Sequence, residues 1–478
     1  MTTSLTTMSA AEMAQMVRTK KVSPLELVSA HLKRIDELQP RLNAFVTVDG
    51  DRATRQAAEA DAALIRGAEL PPLFGVPISV KSSIDVAGLR CEAGSRLRAG
   101  YVAETDAPLV ARLKRAGAIV LGNSNTPELL MAYETDNVLA GRTCNPWDLQ
   151  RTPGGSSGGE AAAIAAGCVA AGVGSDGGGS IRVPAHFTGI CGLKPTPGRI
   201  PGTQHFPACV GPFAFLGVVG PMARTVADLR LMLSVMSGYD LGDPMSANFA
   251  PAAADRRTVR HLRIGCLTDE AMGTTSAETR AAVHAAASAL QRAGLAVESV
   301  RPEGLEEAGE LWRVFFCQAG SMLVRGVAAA REAELSPMLV RFLATFSAEP
   351  PMSGERLLTA LINRDLLRAR FLQQMETWPV LLLPVSSGPA FRHGEGGWTE
   401  GDPANYLVTM RFTQWFNLLG LPAAVVPVTK SPEGLPIGVQ VIGRPHEEEV
   451  VLEVASVIEE AFGWQPPPLT WTREARTE

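Results

Sequence analysis

The chain has 478 residues, 46% hydrophobic and 19% charged, with a formal net charge of −5. Its length allows a large core, and its scattered Lys and Arg residues build no basic face of the kind nucleic acid requires. Seven cysteines without a C-x-x-C spacing argue against a disulfide framework and against a structural zinc site. The N-terminus lacks the basic-then-apolar order of a signal peptide. The longest weakly polar run, Ala161 to Gly174, is shorter than the roughly 20 residues of a bilayer span. The expectation is a soluble, cytoplasmic protein with no membrane span.

The first elements are helices. Ser9 with Glu12, and Ser23 with Glu26, form capping boxes, the second with Pro24 at the first helical position. A third, alanine-rich helix is expected over Arg52–Arg66. Leu73–Val80 reads as a buried strand running directly into Lys81. Pro108–Ala116 is a helix ended by Gly117, Ala118–Gly122 a strand, and Thr126-Pro127-Glu128 the start of another helix. A surface connection follows over residues 244–257, then a strand from Leu262, a helix over Ala277–Ala293 and a strand over Ala296–Val300. Residues 305–375 read as mostly helical. Trp378–Val385 is a strand entering a glycine-rich loop, Gly388–Gly397. A strand over Ala423–Val428, a turn at Pro432-Glu433-Gly434, a strand over Gly438–Ile442 and a helix over Glu447–Phe462 close the chain. This alternation predicts α/β architecture. No linker divides it, so one domain over residues 1–478 is expected.

The stretch from Pro153 to Ala185 carries ten glycines in 33 positions, with Ser156 and Ser157 in one cluster and Ser180 closing the second. Glycine at that density frees backbone N–H groups to face a ligand, and hydroxyls beside such donors suggest a nucleophile with an oxyanion hole. Gly172 to Gly177 matches G-x-G-x-x-G, but a dinucleotide site needs a following helix and an acidic residue about 20 positions on. Pro184 arrives instead, and Ile190 to Val210 holds no Asp or Glu. Gly155 to Gly159 matches G-x-S-x-G, but a polar turn precedes it where a nucleophile elbow needs a strand. None of the histidines that follow it (His186, His205, His261, His284, His393 and His446) has a context that marks it as a base.

These clusters, the lysine strand PLFGVPISVK, the segment GNSNTPEL, the run GSDGGGSIRVPA followed by CGLKPT, and the C-terminal FNLLGLPAAVVPV and GLPIGVQVIGRP together resemble the amidase signature family of serine hydrolases. The resemblance extends along most of the chain. It implies a large mixed twisted β-sheet covered by helices on both faces, with a signature core over about residues 70–220 and a more variable helical region over about 300–375. It also implies a Ser–cis-Ser–Lys triad, with Ser180 as nucleophile, Ser156 as bridging serine and Lys81 as base. The Gly155–Ser156 bond is then expected to be cis. Gly177, Gly178 and Gly179 would supply the oxyanion hole together with the Ser180 amide, with Ser157, Asp176 and Arg182 in support. No metal or organic cofactor is implied. The chemistry is coherent on its own terms, because a serine hydroxyl needs a base and burial lowers a lysine's pKa until it can serve as one.

The chain departs from the family pattern at two places. Ser82 stands where many relatives have aspartate after the lysine, and Gly177 stands where a larger residue is usual. Leu130, Met131 and Tyr133, after TPEL, are the substrate-binding candidates. Trp312, Phe315, Phe316, Trp415 and Phe416 are candidates for an apolar wall. Together they suggest a small-molecule substrate with a hydrophobic or aryl acyl or amine group, as an amide, ester or carbamate (urethane). Expected partners are limited to that substrate, with a homodimer allowed. The alternative is the A subunit of a glutamyl-tRNA amidotransferase, which works only with partner proteins. LWRVFFCQAGSML departs from that subunit's Y-Y-x-x-x-x-A-E-A-S-S-N-L pattern.

Overall fold

A computed structural model of the chain describes residues 4–67, 69–249, 254–347, 352–395 and 403–469. Residues 250–253 of the 244–257 connection and residues 396–397 of the glycine-rich loop lie outside them. Eleven strands form one mixed sheet. They are β1 (Phe45–Val48), β2 (Pro77–Lys81), β3 (Ile119–Ser124), β4 (Ala171–Asp176), β5 (Cys191–Lys194), β6 (Val218–Ala223), β7 (Arg263–Leu267), β8 (Ala296–Val300), β9 (Val380–Pro384), β10 (Ala423–Lys430) and β11 (Pro436–Ile442). Their order across the sheet is β1-β3-β2-β4-β6-β5-β10-β11-β9-β7-β8. β2 runs parallel to β3 and β4, and β7 parallel to β8 and β9; the other neighbours are antiparallel. Every residue of β2, β3, β4, β5, β6, β9 and β11 is buried. Successive side chains point to opposite faces of a strand, so these strands are covered on both sides. This is the expected α/β fold.

Local chemistry sets the helix starts. Both capping boxes form, at Ser9 for Ala10–Arg18 and at Ser23 for Pro24–Leu42. The helix Pro108–Arg115 hands over at Gly117, whose φ of +90° reverses the chain into β3. The strand expected from Leu73 starts only at Pro77, because Leu73–Val76 is a turn closed by the Val76 N–H on the Leu73 carbonyl. The helix expected from Thr126 does not form. Glu128–Leu130 is a short 3₁₀ turn in which Leu129 and Leu130 have positive φ. Long-range ties override its helical pattern. The Leu129 N–H donates to the Ala93 carbonyl, and the Glu128 carboxylate accepts from Ser95 Oγ and the Ser336 N–H.

The described part of residues 305–375 is mostly helical, as expected, with a π-helical turn over Val314–Ala319. Among the described residues no helix is long and apolar enough to cross a membrane.

Candidate active site

Three pieces of chain meet at the C-terminal ends of β2 and β4. Lys81 ends β2 and has no solvent exposure. Ser156 and Ser157 form the turn before the helix Gly158–Ala165, and the Gly155–Ser156 peptide bond is cis, as expected. The loop after β4 carries Gly177 to Ser180 into the helix Arg182–Thr188. Lys81 Nζ lies 2.6 Å from Ser156 Oγ, 3.0 Å from Ser157 Oγ and 3.1 Å from Ser175 Oγ. Ser175 carries no signal in the sequence beyond its place directly before Asp176. Thr126 Oγ1 donates to the Ser156 carbonyl at 2.8 Å, and the Ser157 N–H donates to the Ser180 carbonyl at 3.1 Å, tying both serine segments together.

The electrostatics follow from burial. Lys81 pairs with no carboxylate within salt-bridge distance among the described residues, and desolvation lowers it from the usual 10.5 to about 7 against the pull of Asp176 and Glu160. Glu160, the lone carboxylate of an alanine-rich helix, accepts from Ser124 Oγ at 2.6 Å and from Ser79 Oγ. Burial pushes it up to about 7. Asp176 differs: burial works to raise it, yet Arg182 holds it well below the usual carboxylate range. Its carboxylate accepts from Arg182 Nη2 at 2.9 Å, Asn417 Nδ2 at 3.0 Å and the Ile181 N–H at 3.1 Å.

It also takes the Gly179 N–H at 2.7 Å. Of the three glycine amides expected to face an oxyanion, this one is therefore turned to the carboxylate. Tyr133 Oη and Thr413 Oγ1 hold the same peptide plane from its other end, donating to the Gly178 carbonyl at 2.8 and 2.6 Å. The planes that carry the Gly177 and Gly178 N–H groups are held by their carbonyls, with Asn417 Nδ2 donating to Asp176 at 3.1 Å and Trp312 Nε1 to Gly177 at 2.9 Å. Gly177 has a steric role, since a Cβ there would lie 3.3 Å from Phe316 Cε2.

Ser156 and Ser180 line a cavity of about 180 Å³ together with Leu130, Met131, His205, Cys209 and Phe316. Tyr133 lines an adjoining recess of about 10 Å³ with Gly178, Trp312 and Leu407, and this recess shares Leu130, Met131, Ser180 and Phe316 with the cavity. Of the expected aromatic wall, Trp312 and Phe316 take part. Phe315, Trp415 and Phe416 do not line either space: Phe315 packs edge-on against Phe215, and Trp415 against Phe412 and Phe416 in the core. His205 reaches the cavity wall, but its Nδ1 is tied to the Pro207 carbonyl at 2.8 Å and burial lowers its pKa to about 4.

The model of the family described as Amidase matches residues 26–452. The chain is 36% identical to the A subunit of the glutamyl-tRNA(Gln) amidotransferase of Anaeromyxobacter sp. strain K, over 95% of this chain and 96% of that one. A solved structure of a vestigial protein complex, bearing on the origins of an s-triazine catabolic enzyme, is similar at a TM-score of 0.87 and 30% identity, over 96% of this chain and 100% of that one. The structure of 6-aminohexanoate cyclic dimer hydrolase is similar at a TM-score of 0.84 and 27% identity, over 98% of this chain and 100% of that one.

Proposed function

The chain belongs to the amidase family, and on that premise we propose that it cleaves amide C–N bonds by acyl transfer through Ser180, with Ser156 as proton relay and Lys81 as base. The observation that carries the reading is the buried Lys81 Nζ, 2.6 Å from Ser156 Oγ and lowered to about 7. A lysine can accept a proton only when neutral, and burial supplies that state near neutral pH. Ser180 Oγ attacks the carbonyl carbon as its proton passes through Ser156 to Lys81. The oxyanion is met by the amides of Gly177, Gly178 and Ser180. As the C–N bond breaks, the leaving nitrogen takes the proton back from Ser156, and water then releases the acyl group. Asp176 and Arg182 hold the loop. The apolar walls favour a hydrophobic or aryl amide, with esters and carbamates open to the same chemistry.

The sequence relatives favour a second reading, and favour it more than the first: a role as the A subunit of a glutamyl-tRNA amidotransferase. Under that reading the chain works with partner proteins, and the expectation of no nucleic-acid partner falls with it. One experiment separates the two. The purified chain alone is assayed on chromogenic aryl amides, and on glutamine with and without the other amidotransferase subunits. The first reading expects turnover by the chain alone, reduced about 10⁴-fold or more in Ser180→Ala, with labelling by a fluorophosphonate lost. Glutamine cleavage that requires the added subunits would establish the second. Undiminished turnover in Ser180→Ala would remove Ser180 from either.

A further inference from the structure

We propose that the site takes a short-chain N-acyl amide of an uncharged aryl amine, with the acyl group in the small recess and the amine in the large cavity. This rests on the proposed reading that Ser156 returns the proton. The two spaces meet at Ser180 and differ greatly in size, about 180 Å³ against about 10 Å³. An apolar cavity of about 150 Å³ holds a benzene ring, and one of about 10–15 Å³ holds a single water-sized group. The recess therefore suits a methyl group and the cavity suits a substituted ring.

Their sidedness decides which end of the substrate goes where. Ser156 lines the large cavity and does not line the recess. The leaving nitrogen must lie within hydrogen-bond reach of the group that protonates it. It therefore departs into the large cavity, and the remaining substituent of the carbonyl carbon lies against Tyr133, Gly178 and Trp312. These walls are braced against widening. Trp312 stacks on Phe316 at 4.5 Å with 13° between the rings and donates to the Gly177 carbonyl, while Tyr133 donates to the Gly178 carbonyl. Phe316 lines both spaces, as do Leu130 and Met131, and any side chain at position 177 would press on it. The large cavity offers no free charge, because its lining carboxylate, Asp176, is ion-paired with the fully buried Arg182 at 2.9 Å. A neutral aryl amine fits such a wall, and a charged amine does not.

The test compares kcat/KM for 4-nitroacetanilide, its hexanoyl homologue and 4-nitrobenzamide, on wild type, Phe316→Ala and Ser180→Ala. The acetyl anilide is expected to exceed each of the others by about tenfold or more in wild type, and Phe316→Ala should narrow its lead over the hexanoyl anilide. Val324→Trp, which fills the large cavity from its wall, should lower kcat/KM for 4-nitroacetanilide by about tenfold or more while fluorophosphonate labelling persists. A preference for 4-nitrobenzamide or the hexanoyl anilide, lost in Ser180→Ala, would overturn this proposal and leave the catalytic reading standing. Turnover that survives in Ser180→Ala would overturn both.

Discussion

Lys81 stands under two opposed demands, chemical use and cost to the fold. Its folded pKa of about 7 lies below the 10.5 of an exposed lysine, so between those values the unfolded chain holds a proton that the folded one lacks. Unfolding then takes up a proton, and stability rises as pH is raised from about 7 toward 10.5. Lys81→Met should remove that slope and raise the melting temperature while abolishing turnover, measured by thermal denaturation at pH 7 and pH 9. In the wild type, kcat/KM should climb through about pH 7 and level off as Lys81 becomes neutral. A flat profile between pH 6 and 9 would remove Lys81 as the base. At this scale the sequence shows only part of the site. Lys81, Ser156 and Ser180 stand out through long motifs. Ser175 does not, because its nearness to Nζ depends on β2 and β4 lying side by side. The Gly179 amide, expected at the oxyanion, escapes the sequence for a similar reason: Asp176 reads as a brace for the loop, with no sign of which N–H it holds.

Among the elements, those governed by neighbours in the chain were legible and those governed by distant contacts were not. The capping boxes at Ser9 and Ser23 lie within four residues and were readable. The Glu128–Leu130 turn was not, since Ala93, Ser95 and Ser336 shape it. β5, four residues long, and β6, with Gly220 and Pro221 inside it, lack the usual strand pattern. The helix Ala10–Arg18 also has a second, distant cap. The buried Asp228 carboxylate accepts from the N–H groups of Ala10 at 3.0 Å and Ala11 at 2.8 Å. Asp228→Ala should cost about 1–3 kcal/mol in denaturant unfolding and leave turnover per folded molecule unchanged. The segment Leu305–Ala328, with its π-helical turn, acts instead on the site. Trp312→Phe keeps the ring stacked on Phe316 but deletes the hydrogen bond to the Gly177 carbonyl. It should lower kcat by about three- to tenfold, the worth of one neutral hydrogen bond, with KM nearly constant. A change confined to KM would show that Trp312 shapes binding rather than the oxyanion loop.

At the scale of the whole molecule, the resemblance of motifs anticipated a large mixed sheet, but not the order of its strands. That order comes from pairings between residues hundreds of positions apart, such as Ala423 with Lys194. Residues 45–223 supply one run, β1-β3-β2-β4-β6-β5, and residues 263–384 supply another, β9-β7-β8. The β10–β11 hairpin joins them, pairing with β5 on one side and β9 on the other.

The position of that hairpin has a consequence for the birth of the chain. On a ribosome, β5 and β9 are made before residue 423 leaves the exit tunnel, β5 by more than two hundred residues, and until then each lacks the strand that pairs with its edge. Unpaired edges are templates for aggregation. Chains stopped at residue 422 should accumulate in the insoluble fraction of a cell extract while full-length chains remain in the supernatant.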